Sequence, residues 1–307
     1  MQYTDINGFN ISKITLGTAQ LGMDYGIANK NGKPSFPEAM TLLDEAICGG
    51  VNSFDTAAHY GESENILGKY LANKNSGLFI TTKFILDEKN GISDDEIFMQ
   101  TEKYLKQSLK SLGVPKISLY MMHRASDMIK YGKRAADALV MLKERNLAEY
   151  IGVSVYNAFE IDKMLELGVF DAVQLPMGIM DQRLIRRDYI RRLNAAGVLI
   201  FVRSVFTQGL IFLDHMPPGM EKAAKYVGKI RETAKKYNRS VGELALKFIS
   251  GMQGVASLVL GAETAAQIKE IFTFFNAEPL SGACIDELLD LGAEIPIDDI
   301  MDELLRR

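Results

Sequence analysis

The chain has 307 residues, long for an average domain and ordinary for one barrel domain. Hydrophobic residues make up 47% and charged residues 24%, a balance that excludes a disordered chain and predicts a large buried core. A net charge of −4 excludes an overall basic surface for nucleic acid, and no apolar run is long enough to span a bilayer.

Met1-Gln2-Tyr3-Thr4-Asp5 has neither a basic start nor an apolar stretch, so no signal peptide is expected. Cys48 and Cys284 lie far apart in helical contexts, which fits a reducing cytoplasm rather than a disulfide framework. Gln2-Tyr3-Thr4 and Phe9-Asn10-Ile11 flank Asn7-Gly8, a pair suited to positive φ, and predict a hairpin. Eight short apolar strands follow at Ile14–Leu16, Ser53–Phe54, Leu78–Thr81, Ile117–Met121, Tyr150–Val153, Ala172–Gln174, Val198–Val202 and Ser257–Leu260.

Helical stretches separate these strands. One covers Pro37–Cys48 and stops at Gly49-Gly50. Another runs from Ser93 to Leu112 with a Ser93/Glu96 capping box and a stop at Gly113. A third covers Ala158–Leu167 and stops at Gly168, and Gly219–Phe248 holds extra helix before the last strand. Arg183, Arg186, Arg187, Arg191 and Arg192 form a basic run broken by Asp181 and Asp188, which reads as the solvated face of a helix.

Strictly alternating strands and helices predict α/β architecture with a parallel sheet. Eight repeats predict closure into a (β/α)8 TIM barrel behind an N-terminal β-hairpin, as one domain over residues 1–307. The competitor is an open doubly wound sheet, which normally carries G-x-G-x-x-G after an early strand. Here Gly17-Thr18-Ala19-Gln20-Leu21-Gly22 lacks the middle glycine and leads into a loop.

A barrel carries its chemistry at the C-terminal ends of its strands. The polar residues there are Thr18, Asp55, Lys83, His123, Ser154, Gln174 and Ser204, with Tyr60 just past the second strand. Taken singly, Asp55 is a helix cap, Tyr60 a core aromatic, Lys83 a surface cation and His123 a satisfied core histidine. Taken together on adjacent strand ends, they form a catalytic set. A lysine beside a phenol lowers the phenol pKa from about 10, an aspartate keeps the lysine charged and aimed, and a histidine orients a carbonyl or relays a proton. His59, His123 and His215 are too scattered for a metal site.

Asn52-Ser53-Phe54-Asp55-Thr56-Ala57 with Tyr60-Gly61, Thr82-Lys83, and Tyr120-Met121-Met122-His123 resemble the signature segments of the aldo-keto reductases, in order and at strand ends. Gly152-Val153-Ser154, Gln174 and Leu260-Gly261-Ala262 resemble that family's cofactor segments. The opening Leu16–Gly22 with Tyr25–Asn29 resembles its bacterial members. The resemblance implies an NAD(P)-dependent oxidoreductase acting on a small-molecule aldehyde, ketone or sugar, without metal. Tyr60 would be the proton donor, Lys83 and Asp55 would tune it, and His123 would orient the carbonyl. Gly17, Thr18, Asp55, Ser154, Gln174, Ser204, Gly261, Glu263 and Gln267 would meet the cofactor, and Gln20, Tyr25 and Arg124 the substrate.

Two departures stand out. Val155 follows Ser154 where the family often has Asn, and Arg203 occupies the seventh-strand register of an aromatic that stacks on the nicotinamide, a role open to Phe206. The segment after Ile295-Pro296 is short, which implies an open pocket. Glu263 stands where many relatives place a base for the NADP phosphate, with no basic residue until Lys269 and only a distant Arg239 to reach in. This predicts tolerance of NAD, or preference for it. From another functional class, a cofactor-binding regulatory subunit on the same fold is the alternative.

Overall fold

The computed structural model describes residues 1–72, 77–87 and 91–305. Strands β1 (Tyr3–Ile6) and β2 (Phe9–Ser12) form an antiparallel hairpin, with Asn7 and Gly8 both at positive φ in the turn. Eight parallel strands follow: β3 (Ile14–Gly17), β4 (Ser53–Asp55), β5 (Phe79–Phe84), β6 (Ile117–Met122), β7 (Ala148–Ser154), β8 (Ala172–Pro176), β9 (Leu199–Arg203) and β10 (Ser257–Gly261). They pair in chain order, and β10 returns to β3 from Leu258↔Ile14 to Gly261↔Gly17, which closes the sheet. The molecule is a (β/α)8 barrel; closure rules out the open-sheet alternative.

The local signals act as their chemistry requires. Ser93 caps the Asp94–Leu112 helix through its box with Glu96, and Gly113 ends it at φ 66°. The Ala158–Leu167 helix ends at Gly168, also at φ 66°. The Gly219–Phe248 stretch is two helices, Glu221–Lys236 and Val241–Ser250. The chain breaks at Asn238, which has positive φ, and restarts at the Ser240 cap.

The basic run departs from expectation. Only Arg191 and Arg192 sit on a helix, Tyr189–Ala195. Arg183, Arg186 and Arg187 lie in turns, where Arg183 pairs with Asp181 and Asp298, and Arg186 donates to the Leu289 carbonyl. Tertiary acceptors have replaced the helix that spacing alone suggested. Among the described residues no helix is long and apolar enough to cross a membrane.

Strand alternation decides what faces the barrel axis. Phe79, Leu119, Met121, Tyr150, Ala172 and Phe201 fill the lower interior together with Ile6 and Ile11 of the hairpin, which plugs that end. Phe79 and Phe201 stack at 6.0 Å, and Asn7 Nδ2 donates to the Tyr150 hydroxyl at 3.1 Å. Above them the small hydroxyls of Thr15, Ser53 and Ser257 bond one another at 2.7–2.8 Å, while the buried Thr81 hydroxyl beside them finds no partner among the described residues. Continuing the same two-residue period upward places Gly17, Asp55, Lys83, His123, Ser154, Gln174, Arg203 and Gly261 in the uppermost layer. The pleat therefore selects the residues at the mouth.

Candidate active site

At the centre of this layer is a buried charge pair. Lys83 Nζ donates to Asp55 Oδ1 at 2.6 Å and to the Thr56 carbonyl at 3.0 Å, while Gln174 Nε2 donates to Asp55 Oδ2 at 2.7 Å. Lys83 is 0% exposed and Asp55 3%. Charges this deep persist only when paired and hydrogen-bonded, and here both carboxylate oxygens are taken. Burial lowers the Lys83 pKa, and Asp55 pulls it back up.

Tyr60 sits above the pair. Its ring is half-buried, with the Lys83 ammonium 5.1 Å from the centroid, and it meets His123 edge-on at 5.4 Å. Among the described residues its hydroxyl has no partner, and it opens on the cavity described below. Burial and then Asp55 hold the phenol well above its usual 10, with Arg203 acting to lower it. This reverses the sequence expectation that Lys83 would depress it. The reason is geometric: the ammonium is spent on Asp55 and lies over the ring rather than against the hydroxyl. His123 is pushed down to about 3 by burial, then by Lys83 and Arg203. It is neutral at any working pH, which suits orientation of a carbonyl better than a proton relay.

The Tyr60 loop is held from below. Thr18 Oγ1 donates to the Asp55 carbonyl at 2.9 Å, and Ser63 Oγ lies 2.7 Å from Thr18 Oγ1 and 2.9 Å from Thr56 Oγ1. Gly22 closes the one-turn helix Ala19–Gly22; a Cβ there would run into the Tyr60 carbonyl and stand 2.5 Å from Ser63 N. Gly22→Ala should therefore cost at least about 1–3 kcal/mol of stability by overpacking. It should also lower kcat by moving Tyr60, read from urea unfolding beside turnover. Wild-type kcat in a destabilised variant would dissociate Gly22 from the site.

A cavity of about 770 Å³ opens over this layer. It is lined by Asp55, Tyr60, Gln174 and Arg203 at the barrel mouth, by Gly261 and Glu263 before the Ala265–Asn276 helix, and by Gln267, Glu270 and Phe274 along that helix. Two loops wall it, 25–31 and 203–215, tied by Ile27 N to the Gln208 carbonyl at 3.1 Å. Ser204, Thr207 and Gln208 are non-glycine residues at positive φ, strain of the kind that collects at binding sites. In the sequence only Gly209 marks this loop, so its lining residues Phe212, Asp214 and His215 went unsuspected. The cover comes from these loops; among the described residues none beyond Phe274 lines the cavity, and the Ile297–Leu305 helix packs elsewhere.

The structure brings most of the expected residues to this cavity. Gly17, Thr18, Gln20, Tyr25, Ser204, Gly261, Glu263 and Gln267 line it with Asp55, Tyr60 and Gln174. Lys83 lies beneath, His123 abuts Tyr60, and Ser154 sits buried in register with Gln174. Arg124 does not line the cavity. Asp127 holds it in an ion pair at 3.0 Å, and its guanidinium also donates to the Leu86 carbonyl. His59 is exposed beside His123 rather than in the wall. Phe206 meets Phe212 at a tilt, ring centroids 5.3 Å apart, and the Arg203 guanidinium lies over Tyr156 at 4.2 Å.

Comparison with known proteins agrees with this architecture. The uncharacterized oxidoreductase YqkF of Bacillus subtilis (strain 168) is 25% identical over 290 residues, covering 89% of this chain and 90% of YqkF. The aldo-keto reductase AKR11C1 from Bacillus halodurans, in its holo form, superposes with a TM-score of 0.78 at 22% identity, over 95% of this chain and 96% of that one. The glycerol dehydrogenase AKR11B4 from Gluconobacter oxydans superposes with a TM-score of 0.74 at 20% identity, over 96% and 95%. These two likenesses are of fold. The sequence model of the aldo/keto reductase family matches residues 13–291, nearly the whole barrel, and the chain belongs to that family of oxidoreductases.

Proposed function

We propose that this protein is a nicotinamide-dependent oxidoreductase that interconverts a carbonyl and an alcohol, with Tyr60 as proton donor and acceptor. The observation that carries the reading is the Tyr60 hydroxyl, open to the cavity above a fully buried Lys83–Asp55–Gln174 chain. No structural need explains a lysine with zero exposure under a tyrosine; a tuned proton donor does.

The cavity suits a dinucleotide. Its volume falls within the roughly 300–1,000 Å³ of small-molecule and cofactor sites. Gln174 spends its amide N–H on Asp55, which leaves Oε1 as acceptor for a carboxamide beside the Ser154 hydroxyl. When bound, the reduced nicotinamide supplies a hydride. The chain's own residues do the rest: neutral His123 and Tyr60 hold the carbonyl oxygen, Tyr60 delivers the proton, and the Arg203 guanidinium, which acts to lower the phenol pKa, favours the phenolate that results.

The far end of the cavity favours NAD. Glu263 and Glu270 line it, and no Lys or Arg of the 261–274 stretch does. Lys269 pairs with Glu45 at 3.3 Å, and Arg239 pairs with Glu243. The helix start is also occupied: Gln267 Oε1 accepts from the Glu263 and Thr264 amides, and Thr264 Oγ1 accepts from the Gln267 amide. Gln267 thus serves the cap, and fewer amides remain for an added phosphate. Competing titrations of NADH and NADPH should show tighter NADH binding by about tenfold, roughly 1.4 kcal/mol. Glu263→Ala should narrow the gap. A strong NADPH preference that survives Glu263→Ala would overturn the assignment of the adenosine end.

A further inference from the structure

The same alternation that turns Leu199 and Phe201 inward turns Arg203 inward at the mouth, in the register where the family resemblance implies an aromatic on the nicotinamide. Arg203 lines the cavity with Tyr60. Its guanidinium lies 4.2 Å over the Tyr156 ring and donates to the Val155 carbonyl at 3.1 Å and to Ser204 Oγ at 3.3 Å. These contacts fix the group in place and leave three of its five N–H donors unassigned among the described residues.

No described carboxylate forms an ion pair with Arg203. Both oxygens of Asp55 are committed to Lys83 and Gln174, and Asp214 pairs with Arg231 at 3.3 Å. Lys83 is neutralised by Asp55, so the uncompensated charge at the reacting end belongs to Arg203. Its field reaches the chemistry: it acts to lower the pKa of Tyr60, Lys83 and His123. A fixed, partly desolvated guanidinium with a free fork is matched by a planar or tetrahedral anion.

We infer that Arg203 anchors a carboxylate or phosphate on the substrate, so that the site selects carbonyl compounds bearing an anionic group near the reacting carbon. The inference rests on the proposed reading of Tyr60 and the cavity as a carbonyl-reducing site. A neutral substrate would leave the guanidinium unmatched while covering it, whereas an anion satisfies it and is steered toward it.

The test compares matched substrates: 4-oxobutanoate against butanal, and glyceraldehyde 3-phosphate against glyceraldehyde. With wild-type enzyme at low salt, kcat/KM should favour the charged partner about 10- to 100-fold, chiefly through KM, and the advantage should shrink as ionic strength rises. Arg203→Leu should bring the charged-to-neutral ratio near one, and Arg203→Lys should retain part of it. The ratio within each variant is the readout, because Arg203 also holds the Val155 strand end.

Calorimetric titration of succinate into the enzyme with NADH gives an arm independent of turnover; binding should be present in wild type and lost in Arg203→Leu. If no carbonyl is turned over yet succinate binds in this Arg203-dependent way, the carbonyl-reducing reading fails and the anion anchor stands. If neutral aldehydes are reduced as well as charged ones, and Arg203→Leu leaves the ratio unchanged, the anchor is overturned and the reading stands. If Arg203→Leu weakens NADH binding in a tyrosine-fluorescence titration without changing the ratio, the guanidinium serves the cofactor and the inference is equally overturned.

Discussion

Tyr60→Phe should lower kcat for carbonyl reduction by about 10²–10⁴-fold, the usual contribution of a positioned general acid. The loss should come without unfolding. The phenyl ring keeps its edge-on contact with His123 and its place over the Lys83 ammonium, and no described residue loses a hydrogen bond to the hydroxyl. Cofactor affinity should be little changed for the same reason.

The pH profile adds a second readout. Burial and Asp55 hold the wild-type phenol above its usual range, so the proton donor for reduction persists through neutral and mildly alkaline pH. Alcohol oxidation needs the phenolate and should rise with pH, and Tyr60→Phe should flatten that rise. Near-wild-type turnover in the variant would remove Tyr60 from the chemistry.

The second large effect is on stability. Asp55→Asn leaves Lys83 fully buried without its counter-charge and should cost about 3–5 kcal/mol at neutral pH, the typical penalty for breaking a buried pair. Burial already lowers the Lys83 pKa, and Asp55 is the group that raises it again. Without Asp55 the lysine pKa falls further below its unfolded value of about 10.4, so the unfolded chain binds a proton that the folded chain does not. Stability then rises with pH over that interval, and the deficit of Asp55→Asn should shrink as pH is raised from neutral toward the unfolded lysine pKa in urea melts. Adding Lys83→Met should recover part of the loss, because the stranded charge is gone. A deficit that stays constant with pH and is merely additive in the double variant would mean that the pair is not coupled as the geometry implies.

By itself the sequence determined the strand count, the closure and most of the mouth. Eight apolar runs with turn chemistry between them admit few architectures, and each strand's local pattern survives whatever its neighbours are. Asp55, Lys83 and Gln174 stood out as a set, because polar residues at the ends of several apolar strands share one face once a barrel is assumed.

Tertiary structure decided what depends on partners far along the chain. Arg124 is positioned by Asp127 and the Leu86 carbonyl, and the basic run at 183–187 by Asp298 and the Leu289 carbonyl, so local spacing mislocated both. The direction of the Tyr60 shift turns on burial of the phenol and then on the Asp55 charge, which only the packed strand ends bring together. Arg203 needed the strand register: shifting the reading of β9 by one residue exchanges it with Ser204, and only the inward packing of Leu199 and Phe201 fixes which of them faces the barrel axis.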